Sequence, residues 1–255
     1  MNRNFKRFIS LFLVTILVIP SGWITPVTEA ATTEDIPVLL YHRVVENPTD
    51  EWTDTSTDKF EQTMRYLHDN DYNTLTAEQY VRIMEGEEDA PANPILLTFD
   101  DATPDFITNA LPILDSFNMN AVLFVVSDWI DGDYSMSEEQ LLSLVDKPNV
   151  SIQNHTFNHS DALWGNGVGS NSTITTEDAE HQIAEAKTDL KSSTGQDPTL
   201  MAYPYGSYND EAKKANEEQG MKYAFKVGYP NDGDYAMGRH YVMMDTTLEE
   251  VANWI

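Results

Sequence analysis

The stretch Ile95-Leu96-Leu97-Thr98-Phe99-Asp100-Asp101 decides how the rest of the chain is read. Its apolar and β-branched run is short, as expected of a strand covered on both faces in a parallel sheet. Two adjacent carboxylates follow. Like charges side by side at the edge of a core repel each other and resist desolvation, so a positive group is expected beside them. The other reading of these seven residues is that Asp101 caps a helix opened by Pro104, with Asp100 solvated.

Working outward, similar short runs recur at residues 36–41, 121–126, 150–153, 200–203, 223–227 and 240–243. Helical patterns lie between them. Ser56 or Thr57 caps a helix reaching Asn70, with Phe60, Met64 and Leu67 on one face, and Thr76 caps another reaching Met84. A helix over 104–117 should kink at Pro112. Further helices are predicted over 138–145, from Thr175 or Thr176 to Ser192, over 209–219 with a left-handed stop at Gly220, and over 248–254. Residues 47–58 and the Gly/Ser/Asn-rich 165–172 read as loops. Alternating strands and helices predict an α/β fold, a parallel sheet with helices outside. In such folds the chemistry collects at the C-terminal ends of the strands. His42, the Asp100-Asp101 pair, His155 with His159, and Tyr205 all follow predicted strands.

Arg3, Lys6 and Arg7 precede an apolar run from Phe8 to Pro20, and small residues at 28–31 offer a cleavage site. Residues 1–30 therefore read as a secretory signal and 31–255 as one exported domain, with an uncleaved anchor as the alternative. The chain has no cysteine, which excludes a disulfide framework and thiolate ligation, so any metal must use His, Asp or Glu. Fifteen basic residues face 42 acidic ones, for a net charge of -27. Nucleic acid and anionic membranes are poor partners for a chain with that field, because each phosphate contact would have to overcome it. A neutral or cationic substrate fits it, as does adaptation to salty or alkaline surroundings.

His155 and His159 are four residues apart, which lets one metal meet both imidazoles if the segment turns. Alone, the pair reads equally as two surface residues. Beside the two aspartates it supplies an open site of two imidazoles and one carboxylate, with the other aspartate free as a base.

In order and spacing, Thr98-Phe99-Asp100-Asp101, His155-Thr156-Phe157-Asn158-His159 and Tyr203-Pro204-Tyr205-Gly206 resemble the first three motifs of the polysaccharide deacetylases, the NodB-homology or carbohydrate esterase 4 family. The resemblance implies a distorted (β/α) barrel and hydrolysis of N-acetyl groups on N-acetylglucosamine polymers. By position it makes Asp101, His155 and His159 ligands of one divalent metal ion, zinc first, with cobalt, nickel or iron as alternatives. It makes Asp100 the general base and places Tyr205, with Tyr203, at the oxyanion and substrate. The late Leu-x-His motif of the family is missing, and Leu40-Tyr41-His42 matches it at the front. That order is similar to the permuted branch containing the biofilm poly-N-acetylglucosamine deacetylases, and implies His42 as the acid. Ala202 stands where many members carry an arginine that contacts the base, and Arg239 is the candidate to replace it; a surface arginine is the alternative. Ala102 stands where glycine is frequent.

Trp129, Trp164, Tyr203 and Tyr205 are candidates to stack on sugar rings, with core packing as the alternative for the tryptophans. His68 and His181 read as solvated, and His240 receives no role. The expectation is a secreted or cell-surface monomer acting on an N-acetylglucosamine polysaccharide, poly-β-1,6-N-acetylglucosamine ahead of peptidoglycan or chitin. A non-catalytic carbohydrate-binding relative is the competing class. Phosphoryl transfer lacks a Gly-rich phosphate loop.

Overall fold

A computed structural model describes residues 36–167 and 171–255, so the expected signal at 1–30 lies outside the described residues. The chain begins with β1 (Val38–Tyr41), β2 (Arg43–Val45), β3 (Asp54–Ser56), α1 (Thr57–Asp69), β4 (Asn73–Thr74), α2 (Ala77–Met84) and β5 (Pro94–Phe99). It continues through α3 (Leu111–Ser116), β6 (Ala121–Val125), α4 (Glu138–Leu142), β7 (Val150–Asn154), α5 (Asp161–Trp164) and α6 (Thr176–Thr194). β8 (Leu200–Ala202), α7 (Asp210–Glu218), β9 (Tyr223–Phe225), β10 (His240–Tyr241) and α8 (Leu248–Trp254) complete it.

The main sheet runs β10-β1-β5-β6-β7-β8-β9, with β4 beside the start of β5, and its pairings are parallel. One segment joins its two edges. Met237 exchanges backbone hydrogen bonds with Ala224 and Lys226 at the β9 edge, and His240 and Tyr241 then pair with Leu39 and Leu40 of β1. The sheet is thereby curled into a distorted β/α barrel. Alternate residues feed opposite faces, as the strand period requires. Leu39, Tyr41, Leu97, Phe99, Leu123 and Val125 pack with Phe60 and Leu114 in one cluster. Val38, Leu96, Val122, Phe124 and Leu200 pack with Tyr80 of α2 in another.

Local sequence explains most helix starts. Ser56, Thr76, Thr175 and Asn209 each accept a backbone N–H of the first turn, and Thr76 forms a reciprocal capping box with Gln79. Three expectations need correction. The helix predicted over 104–117 runs without a break from 105 to 116, but its residues Phe106–Ala110 form a π-helical turn ahead of α3. Pro112 follows that wider turn, where the Leu111 N–H reaches back to the Phe106 carbonyl, and the π-helical geometry accommodates the proline's missing N–H. Asp101 caps no helix; Asp101 and Ala102 adopt successive left-handed conformations, φ 70° and 51°, that turn the chain away from β5. Residues 47–58 are not all loop, because β3 pairs with β2 there. Among the described residues, no helix is long and apolar enough to cross a membrane.

Candidate active site

Strand register assembles the site. Tyr41 is aligned with Phe99, so His42 and Asp100 emerge side by side, and the Asp100 N–H donates to the Tyr41 carbonyl at 3.0 Å. Val125 is aligned with Asn154, which delivers His155 to the same rim. Nε2 of His155 lies 3.4 Å from Asp101 Oδ1 and 3.8 Å from Asp100 Oδ2. The His159 ring centroid is 5.0 Å from that of His155.

The 155–159 turn is held from within the motif and from outside it. Asn154 Oδ1 accepts the Thr156 N–H at 2.7 Å, and Thr156 Oγ1 accepts the His159 N–H at 3.2 Å. Gln182 of α6 accepts from two more amides, its carbonyl from Phe157 and its side chain from Asn158. These bonds stabilise left-handed Thr156 and His159, φ 70° and 51°, conformations unfavourable for residues with a Cβ. Sequence reasoning missed Gln182. The available signal was a polar residue on the buried stripe of α6 between Ala179 and Ala186.

The two aspartates have different surroundings. Asp100 accepts Arg239 Nη1 at 2.7 Å and Nη2 at 2.8 Å, a bidentate pair in which both side chains are buried. Arg239 also donates to Thr98 Oγ1 and to the Lys226 carbonyl, and lies over the Phe124 ring. Burial pushes the Asp100 carboxyl up, but the Arg239 and His155 charges outweigh it and hold it below the usual range. Asp101 has no such partner: its Oδ1 is buried without a hydrogen bond. Burial again opposes its ionisation, and the imidazoles of His155 and His42 hold it well below the usual carboxylate range.

These residues fit a divalent cation. Asp101, His155 and His159 each offer one ligand atom, all within 4.8 Å of one another. His155 Nδ1 donates to the Ala202 carbonyl at 2.8 Å, which fixes the tautomer that leaves Nε2 available. Burial and the neighbouring His155 lower the His159 pKa to about 4, keeping it neutral and able to ligate. A nitrogen-and-oxygen donor set of this kind does not select one divalent ion.

His42 stands opposite, its ring centroid 5.2 Å from that of Tyr241. Its Nδ1 is buried without a hydrogen-bond partner, and burial lowers its pKa despite the pull of Asp101 and Asp100. Tyr205, half-buried at the cleft wall, stacks edge-on against His159 at 4.7 Å and donates its hydroxyl to Asp161. The adjoining Gly206 is obligatory: φ is +65°, and a Cβ there would lie 2.5 Å from the Val227 nitrogen. Around these groups opens a cleft of about 550 Å³, bordered also by Trp52, Trp129 and Tyr134.

Tyr203 borders the cleft but its side chain is buried, and its hydroxyl donates to the Tyr235 carbonyl and accepts from Asn216. Trp164 is equally buried and packs against Tyr203 in a cluster with Ile183 and Ala212, because α5 turns it inward. Trp129 remains at the cleft, 5.1 Å from His159. His68 and His181 are exposed, whereas His240 is stacked between Tyr229 and Trp254, in a separate groove from the aspartates.

Comparison with known proteins places this geometry. Residues 87–224 match the polysaccharide deacetylase family profile, a span that contains Asp100, Asp101, His155, His159 and Tyr205 but neither His42 nor Arg239. YxkH of Bacillus subtilis, assigned to the polysaccharide deacetylases, is 28% identical over 187 residues, which cover 73% of this chain and 62% of YxkH. A poly-β-1,6-N-acetyl-D-glucosamine N-deacetylase of Staphylococcus epidermidis is 23% identical over 208 residues, covering 77% of this chain and 70% of that protein. The crystal structure of BC0361, a polysaccharide deacetylase from Bacillus cereus, superposes with a TM-score of 0.73 at 25% identity, over 86% of this chain and 68% of that one. The chain thus spans under two thirds of YxkH while sharing its family's core. With the family profile covering more than half of its length and the Asp-His-His group assembled at the strand ends, the chain belongs to the polysaccharide deacetylase family.

Proposed function

We propose that this protein is a secreted, monomeric, metal-dependent hydrolase that removes N-acetyl groups from N-acetylglucosamine polymers, poly-β-1,6-N-acetylglucosamine ahead of peptidoglycan and chitin. The observation that carries the reading is the division of the two aspartates: Asp101 converges with His155 and His159, while Asp100 is clamped by Arg239 beside them. The choice of polymer is supported by the Staphylococcus epidermidis relative. Export, with residues 1–30 as signal and 31–255 as one domain, is supported by Arg3, Lys6 and Arg7 ahead of the apolar run.

Asp101, His155 and His159 would hold the cation, zinc first. When bound, it supplies Lewis acidity to the amide carbonyl and makes water more acidic. Asp100, kept ionised by Arg239, accepts a proton as water attacks the acetyl carbon. A backbone N–H at Tyr205 donates to the developing oxyanion. His42 delivers a proton to the sugar nitrogen as the C–N bond breaks, because an amine leaves far more readily than an amide anion. Acetate and a free amino sugar result, so one water is consumed and charge balances.

The test is metal removal, reconstitution with one defined cation at a time, and acetate release from the three candidate polymers. Acetate should appear with metal and fastest from the β-1,6-linked polymer. If the loaded protein releases none from any of them, the enzymatic reading fails and a carbohydrate-binding protein remains.

A further inference from the structure

Trp52 is 52% exposed, the most exposed large hydrophobic side chain among the described residues, and it borders the cleft beside His42. Its loop has almost no core of its own: Glu46, Asn47, Thr49, Asp50 and Glu51 are exposed. A buried charge holds it instead. Asp54, fully buried, accepts the N–H groups of Thr49 and Asp50 on Oδ2 at 2.8 and 3.0 Å, and Arg43 Nη1 on Oδ1 at 3.0 Å. The Thr53 hydroxyl donates to the same carboxylate, and the Arg43 N–H donates to the Thr53 carbonyl at 2.9 Å. Arg43 immediately follows His42 and also lies 3.7 Å from Asp105, whose other oxygen accepts the Val44 N–H at 2.7 Å. The tryptophan loop is therefore tied to the strand end that bears His42 and to the turn that follows Asp101.

A single exposed indole is ordinary on a protein surface, and what distinguishes Trp52 is its place. It stands at the border of a cleft whose floor is polar, and flat aromatic faces suit the C–H faces of pyranose rings. We propose that Trp52 is a stacking platform for a sugar unit flanking the one that is deacetylated, and that Asp54 is the positioning residue that holds the platform at the cleft. This rests on the carbohydrate reading of the same cleft and specifies that the preferred substrate is an oligomer. The Asp54 carboxyl is suited to the task because, although burial raises it, the Thr49 and Asp50 amides and Arg43 keep it ionised.

Two measurements test this. In titration calorimetry with a β-1,6-linked N-acetylglucosamine pentamer and the monosaccharide, Trp52→Ala should weaken pentamer binding roughly tenfold, equivalent to about 1.4 kcal/mol, with the monosaccharide unaffected. Trp52→Phe, which keeps a stacking face, should retain most of the affinity. In steady-state hydrolysis Trp52→Ala should raise KM for the pentamer without changing kcat. Asp54→Asn should raise KM for the pentamer about threefold while leaving kcat in place. A loss of thermal stability in Asp54→Asn with an unchanged KM would show a merely structural carboxylate and overturn its role. Unchanged pentamer binding in Trp52→Ala, or equal weakening for monosaccharide and pentamer, overturns the platform. Because binding is read without turnover, a protein that binds through Trp52 but releases no acetate would sink the enzymatic reading alone.

Discussion

Two arginine–carboxylate pairs with buried carboxylates flank His42, and they are built differently. Around Asp54, the carboxylate is saturated: backbone amides of Thr49 and Asp50 fill one oxygen, and Arg43 and Thr53 address the other. Around Asp100, Arg239 takes one bond on each oxygen, and the carboxylate still faces the His155 imidazole at 3.8 Å. Asp101 beside it keeps an oxygen with no hydrogen bond. A carboxylate whose acceptor sites are filled by its own loop organises that loop, whereas one left partly open, with positive groups nearby, is prepared for a cation or a proton. The comparison teaches that burial and ion pairing alone do not mark a reactive acid; unused acceptor capacity does.

That contrast is broken most directly at the open end. His155→Ala should abolish stoichiometric metal binding and lower acetate release by roughly a thousandfold or more, several kcal/mol of transition-state stabilisation. Metal content by elemental analysis and an acetate assay check both. Asp100→Asn should keep its metal and lose roughly 10²–10⁴-fold in turnover; a variant that turns over normally would remove Asp100 from proton transfer. Arg239→Ala should lower turnover roughly 10–100-fold with little change in metal content. Leaving Asp100 buried and unpaired should also cost about 3–5 kcal/mol of stability, read by denaturant unfolding. Normal stability in that variant would contradict the description of the pair as buried and mutually dependent.

The saturated end should respond more weakly and to pH. Because the Asp54 pKa is lowered from its ordinary 3.8 on folding, its ionised form stabilises the native state above that value, and the contribution disappears as pH falls through the lowered pKa. The stability difference between the parent protein and Asp54→Asn should therefore be present at neutral pH and fade in acid below about pH 4. A difference that persists unchanged to pH 2 would assign it to packing. The smallest effect is expected at Ala102→Gly. Relief of the left-handed alanine, φ 51°, is offset by a lost buried methyl and a more flexible unfolded chain, so stability should stay within about 1 kcal/mol of the parent.

Much of this was legible in the chain because strands, caps and motif spacing are local. The run ending in Asp100-Asp101 and the similar short apolar runs on either side of it define β5 and the parallel sheet. Thr76 with Gln79, and Asn209, announce helices at the positions observed. Most of what was not legible has one physical cause. The hydroxyl of Tyr203 is satisfied by Asn216 and Tyr235, 13 and 32 residues away, and the loop amides of Phe157 and Asn158 are satisfied by Gln182 on a later helix. Nothing within a short window shows where such partners lie. The π-helical turn before α3 escaped for a different reason: Pro112 announces a kink but does not specify how the backbone absorbs it.

The Asp100-Asp101 pair, taken as sequence, determined that a costly clustering of charge sits at the end of a buried strand and that something positive must relieve it. It left open whether Asp101 was a helix cap, and whether Arg239 was a surface residue. Only the tertiary structure decided both. Parallel register brings His155 to Asp101, and the segment that joins the two sheet edges carries Arg239 across 139 positions of sequence to clamp Asp100. The reason is that desolvation makes charge expensive locally, where sequence can register it, while the charges that offset it are delivered by strand order and closure, which no local pattern encodes.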